Sequence, residues 1–221
     1  MNISTEDLPL VDVNGEPPNP ILQVDFSWKK FKALVSEHGK PKDPIYVIDY
    51  QSFRSPNLIF KSTADDKIIG SGTLHAVSIN AKYEVNGEKG TLKALRRFKT
   101  EYTHLSRAFS DGGGPIPMRW TTTWDFKTWN FICLDEQEIP VAKFSANAWA
   151  THRIGNLEFM GPKATSQAAR DEIMVVALTL LYCMMLRVNS LLSLIGACFA
   201  RPGPLPKEPA APPRQKATKG D

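Results

Sequence analysis

DEIMVVALTLLYCMMLR, residues Asp171–Arg187, is the stretch whose environment decides the fold. From Ile173 to Leu186 every position except Thr179 is apolar, and its Ala, Leu and Met favour helix. Asp171 and Glu172 suit a helix N-terminus, where carboxylates complement the dipole. Arg187 suits the last turn and Asn189 a C-terminal cap. A helix that is apolar on all sides must be surrounded, by protein or by lipid. Seventeen residues at about 1.5 Å each reach roughly 25 Å, the height of a small barrel and slightly short of a bilayer's hydrocarbon core. A comfortable span needs the run extended through Val188–Ala200, which puts Arg187 near its middle at a cost of about 2.5–3.5 kcal/mol. The favoured reading is therefore a buried core helix at about 171–188 followed by a last strand, Leu191–Phe199. A tail-anchored membrane span in 173–200 is the alternative.

Upstream of the helix the chain reads as short strands separated by turn residues. The expected strands are Ile45–Tyr50, Asn57–Lys61, Ile68–Ile79, Thr91–Phe98, Met118–Trp124, Trp129–Leu134, Val141–Ala146 and Gly155–Phe159, with Tyr83–Val85 entering a hairpin. Asn86-Gly87 tolerates the positive φ of a tight hairpin, and Asp135–Glu138 joins two further strands. SDGGGPIP, residues 110–117, reads as a loop. It lacks the Lys-Ser/Thr of a phosphate-binding loop and precedes a strand, so phosphate binding is not expected of it. The fold class that follows is mostly β (α+β), an antiparallel β-barrel enclosing a hydrophobic C-terminal helix.

The 17 prolines of the 221 residues concentrate at the ends. Residues 1–24 hold four of them and four acids against no base, so they read as a disordered acidic head. Residues 25–42 form a lead-in, 43–200 the barrel domain, and 201–221 a disordered, basic, proline-rich tail that also suits recruitment of a partner by a scaffold protein. Cys133, Cys183 and Cys198 are odd in number and lie in apolar contexts, which predicts buried free thiols in a reducing compartment. The polar, acidic N-terminus has no apolar h-region. An intracellular location, cytoplasmic or peripheral to a membrane, is the expectation.

The run RWTTTWDFKTWNFICLDEQEIPVAKFSANAWATHRIGNLEFMGP, from Arg119, followed by RDEIMVVALTLLYCMMLR, from Arg170, resembles the tubby C-terminal domain superfamily. That group includes the phospholipid scramblases and the plant LURP-one-related proteins, and the texture is nearest to fungal tubby-like proteins. The resemblance covers roughly 43–200 and implies a closed barrel threaded by its hydrophobic helix. It also implies phosphoinositide binding through basic residues on the barrel exterior, although no family residue aligns with this chain one by one. The calcium-binding and cysteine-rich palmitoylation features of the scramblases are missing, so lipid scrambling is not implied.

The residues that best suit an anionic head group are Lys89, Lys93, Arg96, Arg97, Lys99 and Arg107, with Lys82 beside them and Glu84, Glu88 and Glu101 interspersed. The plainer reading is an outward strand face solvated by its charges. Trp120, Trp124, Trp129, Phe126, Phe131 and Trp149 read mainly as sheet packing, with an interfacial role open to any that are exposed. His38, His75, His104 and His152 are scattered, and no Gly-x-Ser-x-Gly elbow is present. The expectation is a non-enzymatic binding or adaptor module without cofactor or metal. Nucleic acid is not an expected partner, because the body's charge is modest and no RNA-binding motif accompanies it.

Overall fold

The computed structural model describes residues 19–27, 29–51, 54–75, 78–97, 99–124, 128–147, 152–189 and 202–205. Twelve strands precede one helix. They are β1 (Ile21–Ser27), β2 (Lys32–Glu37), β3 (Pro44–Tyr50), β4 (Leu58–Ser62), β5 (Ile68–Thr73), β6 (Ala81–Val85), β7 (Glu88–Ala94), β8 (Glu101–Ser106), β9 (Ile116–Trp124), β10 (Thr128–Leu134), β11 (Pro140–Asn147) and β12 (Arg153–Phe159). The helix is α1 (Gln167–Asn189). Each strand pairs antiparallel with its neighbours in sequence, and β1 pairs with β12 to close the barrel.

Alternation along the strands points one face inward, as Ala81, Tyr83 and Val85 do on β6 while Lys82 faces out. The inward faces surround α1. Ile173 through Leu180 are entirely buried, Thr179 included, and Leu181, Cys183 and Met184 nearly so. The enclosure is therefore protein, and no described helix is long and apolar enough to cross a membrane. A span in 173–200 would need the first half of that segment to leave the barrel. Cys133 and Cys183 are buried and unbridged. Burial pushes the Cys183 thiol up to about 11 and that of Cys133 well above its usual value.

Helix and sheet approach closely along β5. A Cβ at Gly70 would lie 2.8 Å from the Val175 side chain, and one at Gly72 would lie 2.6 Å from the Thr179 hydroxyl. Only a strand lacking side chains at these two inward positions can lie this close to the helix.

Several boundaries differ from the expectation. The barrel begins at Ile21, not 43, so β1 and β2 take in the end of the supposed head and half of the lead-in 25–42. β1 gave little signal because its inward Leu22 and Val24 flank Gln23, which is also buried. β8 was hidden in the same way, since Tyr102, Thr103 and His104 are all buried. Ile68–Ile79 stops as a strand at Thr73, and Thr91–Phe98 is shifted to Glu88–Ala94. Ile116 and Pro117 belong to β9, with Pro117 opposite Leu105. The helix starts a turn early, at Gln167, so Asp171 and Glu172 lie in its second turn and face strands. Asn86 and Gly87 adopt φ of 50° and 86°, as their hairpin requires. The expected strand Leu191–Phe199, Cys198, Phe126 and Trp149 lie outside the described residues.

Candidate functional site

Because every strand reverses the chain, the connections fall alternately at two ends of the barrel. One end surrounds the last turn of α1 and is formed by the links β1–β2, β3–β4, β5–β6, β7–β8, β9–β10 and β11–β12. Among the described residues, these links and the last turn hold Lys29, Lys30, Arg54, Arg96, Arg97, Lys99 and Arg187, and no Asp or Glu. The links at the other end hold Lys40, Lys42, Lys67, Arg107 and Lys163 against seven acids: Asp43, Asp65, Asp66, Asp111, Asp135, Glu136 and Glu138. Charge is thus segregated along the barrel axis.

Apolar surface accompanies the cations at the first end. Phe31 is 50% exposed, Met185 38% and Leu186 41%. Phe31 is held by Phe26 and Tyr50, at ring separations of 5.7 and 6.0 Å, and Tyr50 in turn packs on Tyr182 of the helix at 4.8 Å. The Tyr50 and Tyr182 hydroxyls share a short hydrogen bond. Burial raises both phenols, that of Tyr182 to about 12, so they stay protonated at neutral pH. Arg187 donates to the Tyr102 hydroxyl and to the Arg97 carbonyl, both at 2.6 Å, and thereby ties the β7–β8 link to the helix end. Arg96 is mostly exposed and lies 3.0 Å from Glu101.

The six basic residues singled out from sequence do not form one patch. Arg96, Arg97 and Lys99 lie at the basic end. Lys89 and Arg107 lie near the opposite end, about 20 Å away at roughly 3.3 Å per strand residue, with Arg107 3.6 Å from Glu88. Lys93 is between them on β7 and donates to the Pro204 carbonyl at 3.1 Å. Sequence reasoning missed Lys29, Lys30, Phe31, Arg54 and Arg187. The signal existed in the bases of the β1–β2, β3–β4 and β7–β8 links, but reading it requires the first hairpin, β1–β2, to be recognised.

Near the helix start, a buried polar cluster fixes α1 in the barrel. Tyr46 donates to Asp171 at 2.8 Å, and Gln167 donates to both. His104, fully buried, accepts from the Trp120 indole on Nδ1 at 3.1 Å, so its proton sits on Nε2, facing Glu172 Oε1 at 3.2 Å. Of the aromatic set, Trp120 and Phe131 are core, and Trp129 is packed against it. Glu172 also lines a cleft of about 990 Å³ where β7 and β8 part. Only Lys93 and Ala94 of β7 pair with β8, at Thr103 and Tyr102. Beyond them, Tyr83 reaches from β6 to donate to the Leu105 carbonyl at 3.0 Å. The glycine-rich stretch lines a smaller cavity of about 580 Å³, bordered by Asp111, Asp135 and Glu136, whose charge opposes phosphate. No group of three or more His, Cys, Asp or Glu that could hold a metal ion occurs among the described residues.

Comparison with protein-family models, with curated proteins and with solved structures finds no match.

Proposed function

We propose that this protein is a non-enzymatic binding module that docks the basic end of its barrel on an anionic membrane surface, taking phospholipid head groups, phosphoinositides among them. One observation carries the reading: seven Lys/Arg and no acid among the described residues of the links and last helical turn at that end, set around exposed Phe31, Met185 and Leu186. A cation near an anionic leaflet contributes about 1 kcal/mol. Four of the seven in contact therefore amount to about 4 kcal/mol, roughly a thousandfold in partitioning. Arg presents a fork of donors matched to phosphate, and the apolar side chains suit shallow insertion beside it. The resemblance to tubby-like proteins points the same way, and membership in that group is part of the proposal. An intracellular, membrane-peripheral location goes with it.

The test is co-sedimentation of the full chain with vesicles of phosphatidylcholine alone, or of phosphatidylcholine mixed with phosphatidylserine or with a phosphoinositide bisphosphate. Recovery that rises with either anionic lipid supports the reading. Equal recovery on neutral and anionic vesicles overturns it.

A further inference from the structure

The cleft between β7 and β8 lies away from the basic end and plays no part in the membrane reading. Its walls include Lys89–Thr91 of β7 and Leu105–Ala108 at the end of β8, stretches that do not pair with each other, with Val85 and Pro115 adding apolar surface and Glu172 buried at its edge. The chain's own C-terminal segment runs along β7 toward it. Gly203 N–H donates to the Ala94 carbonyl at 3.2 Å, Lys93 Nζ donates to the Pro204 carbonyl at 3.1 Å, and Leu205 is part of the cleft wall. The described chain ends there, with sixteen residues still to follow.

We propose that the cleft is the docking groove for Leu205–Pro209, LPKEP, of this same chain, held in cis. Three observations carry it. The described segment delivers the chain to the wall of the cleft, which still has about 990 Å³ of space with Leu205 in place. Charges of both signs face each other, since Lys207 and Glu208 follow Leu205 while the exposed rim of the cleft carries Glu88 and Lys89. Finally, β7 and β8 do not pair with each other beyond Lys93 and Ala94, and a segment containing Pro206 and Pro209 has few backbone conformations to lose on binding there. The proline-rich tail is then, over its first residues, a ligand of its own barrel.

The experiment uses the full chain. Zero-length carbodiimide cross-linking of the monomer should join Lys207 to Glu88. Leu205→Asp should speed amide hydrogen exchange at least tenfold in 88–92 and 105–108 while leaving 130–134 unchanged. A labelled LPKEP peptide should bind the Leu205→Asp chain more tightly than the wild type, whose groove is already filled. Unchanged exchange in 88–92 and 105–108, or Lys207 cross-links found only in a dimer, would overturn the proposal, the latter because it makes a second copy the occupant.

Discussion

The Tyr83 hydroxyl donates to the Leu105 carbonyl at 3.0 Å, so a side chain from β6 stands in for the rung that β7 does not offer β8. It can do so because Gly90 of β7 has no side chain. A Cβ there would lie 2.2 Å from the Tyr83 ring.

Tyr83→Phe leaves the Leu105 carbonyl without this donor and should cost about 1–2 kcal/mol in chemical denaturation. Gly90→Ala, which forces the ring aside, should cost about 1–3 kcal/mol. The two should be strongly non-additive, with Gly90→Ala nearly harmless in a Tyr83→Ala background. Additive costs would mean that the ring and the glycine act separately.

Leu180→Asp puts an unpaired carboxylate inside the barrel and should abolish cooperative unfolding or lower stability by more than about 4 kcal/mol. Thr179→Val is the contrasting case. The Thr179 hydroxyl is buried with no hydrogen-bond partner among the described residues, so the isosteric change should leave the melting temperature unchanged or higher. A substantial loss on Thr179→Val would reveal a partner for that hydroxyl.

At the basic end, Lys29→Glu with Lys30→Glu, or Arg96→Ala with Arg97→Ala, should reduce recovery on anionic vesicles about tenfold or more, with stability nearly unchanged. Lys40→Glu with Lys42→Glu at the other end should not. Raising the salt should weaken wild-type binding as exposed charges are screened. Equal effects from the two ends would remove the directional element of the membrane reading.

Asp49 provides a pH handle. Its partial burial acts to raise its pKa, but Lys32 at 2.8 Å and Lys61 at 3.1 Å outweigh it and hold the carboxyl below its usual value. A depressed pKa contributes stability above the unfolded value near 3.9, and that contribution is lost as pH falls through the lower folded value. Asp49→Asn should therefore cost about 0.5–1 kcal/mol at pH 7, and the cost should shrink as pH falls below the unfolded carboxylate value of about 3.9, as followed by urea unfolding across pH.

The helix and most of the strands were legible because their signals are local. An unbroken apolar run such as Ile173–Leu186 admits few environments, and Asn86-Gly87 can hardly be other than a turn. The elements that escaped, β1, β2 and β8, bury polar residues that break the alternation, Gln23, Ser36 and Thr103–His104. His104 is acceptable in the core only because Trp120 and Glu172 satisfy it, and Glu172 lies 68 residues away in sequence. The basic end escaped for a related reason. Its cations are brought together by closure of the sheet, whereas the cluster 89–107 is contiguous in sequence and is spread along the barrel by the rise of β7.

Closure between β1 and β12 also sets an order of events during synthesis. Ile21 pairs with Glu158, and the helix that fills the interior begins only at Gln167. The ribosome therefore releases the wall before the filling, and the strands have no apolar core to wrap until the last quarter of the chain has emerged. Long-range closure of this kind is slow, and unpaired edges are aggregation-prone while it waits. Nascent chains stalled before residue 167 should be digested throughout by a protease, and chains released past residue 189 should become resistant in one step. Partial resistance growing strand by strand would show that the barrel can assemble hollow.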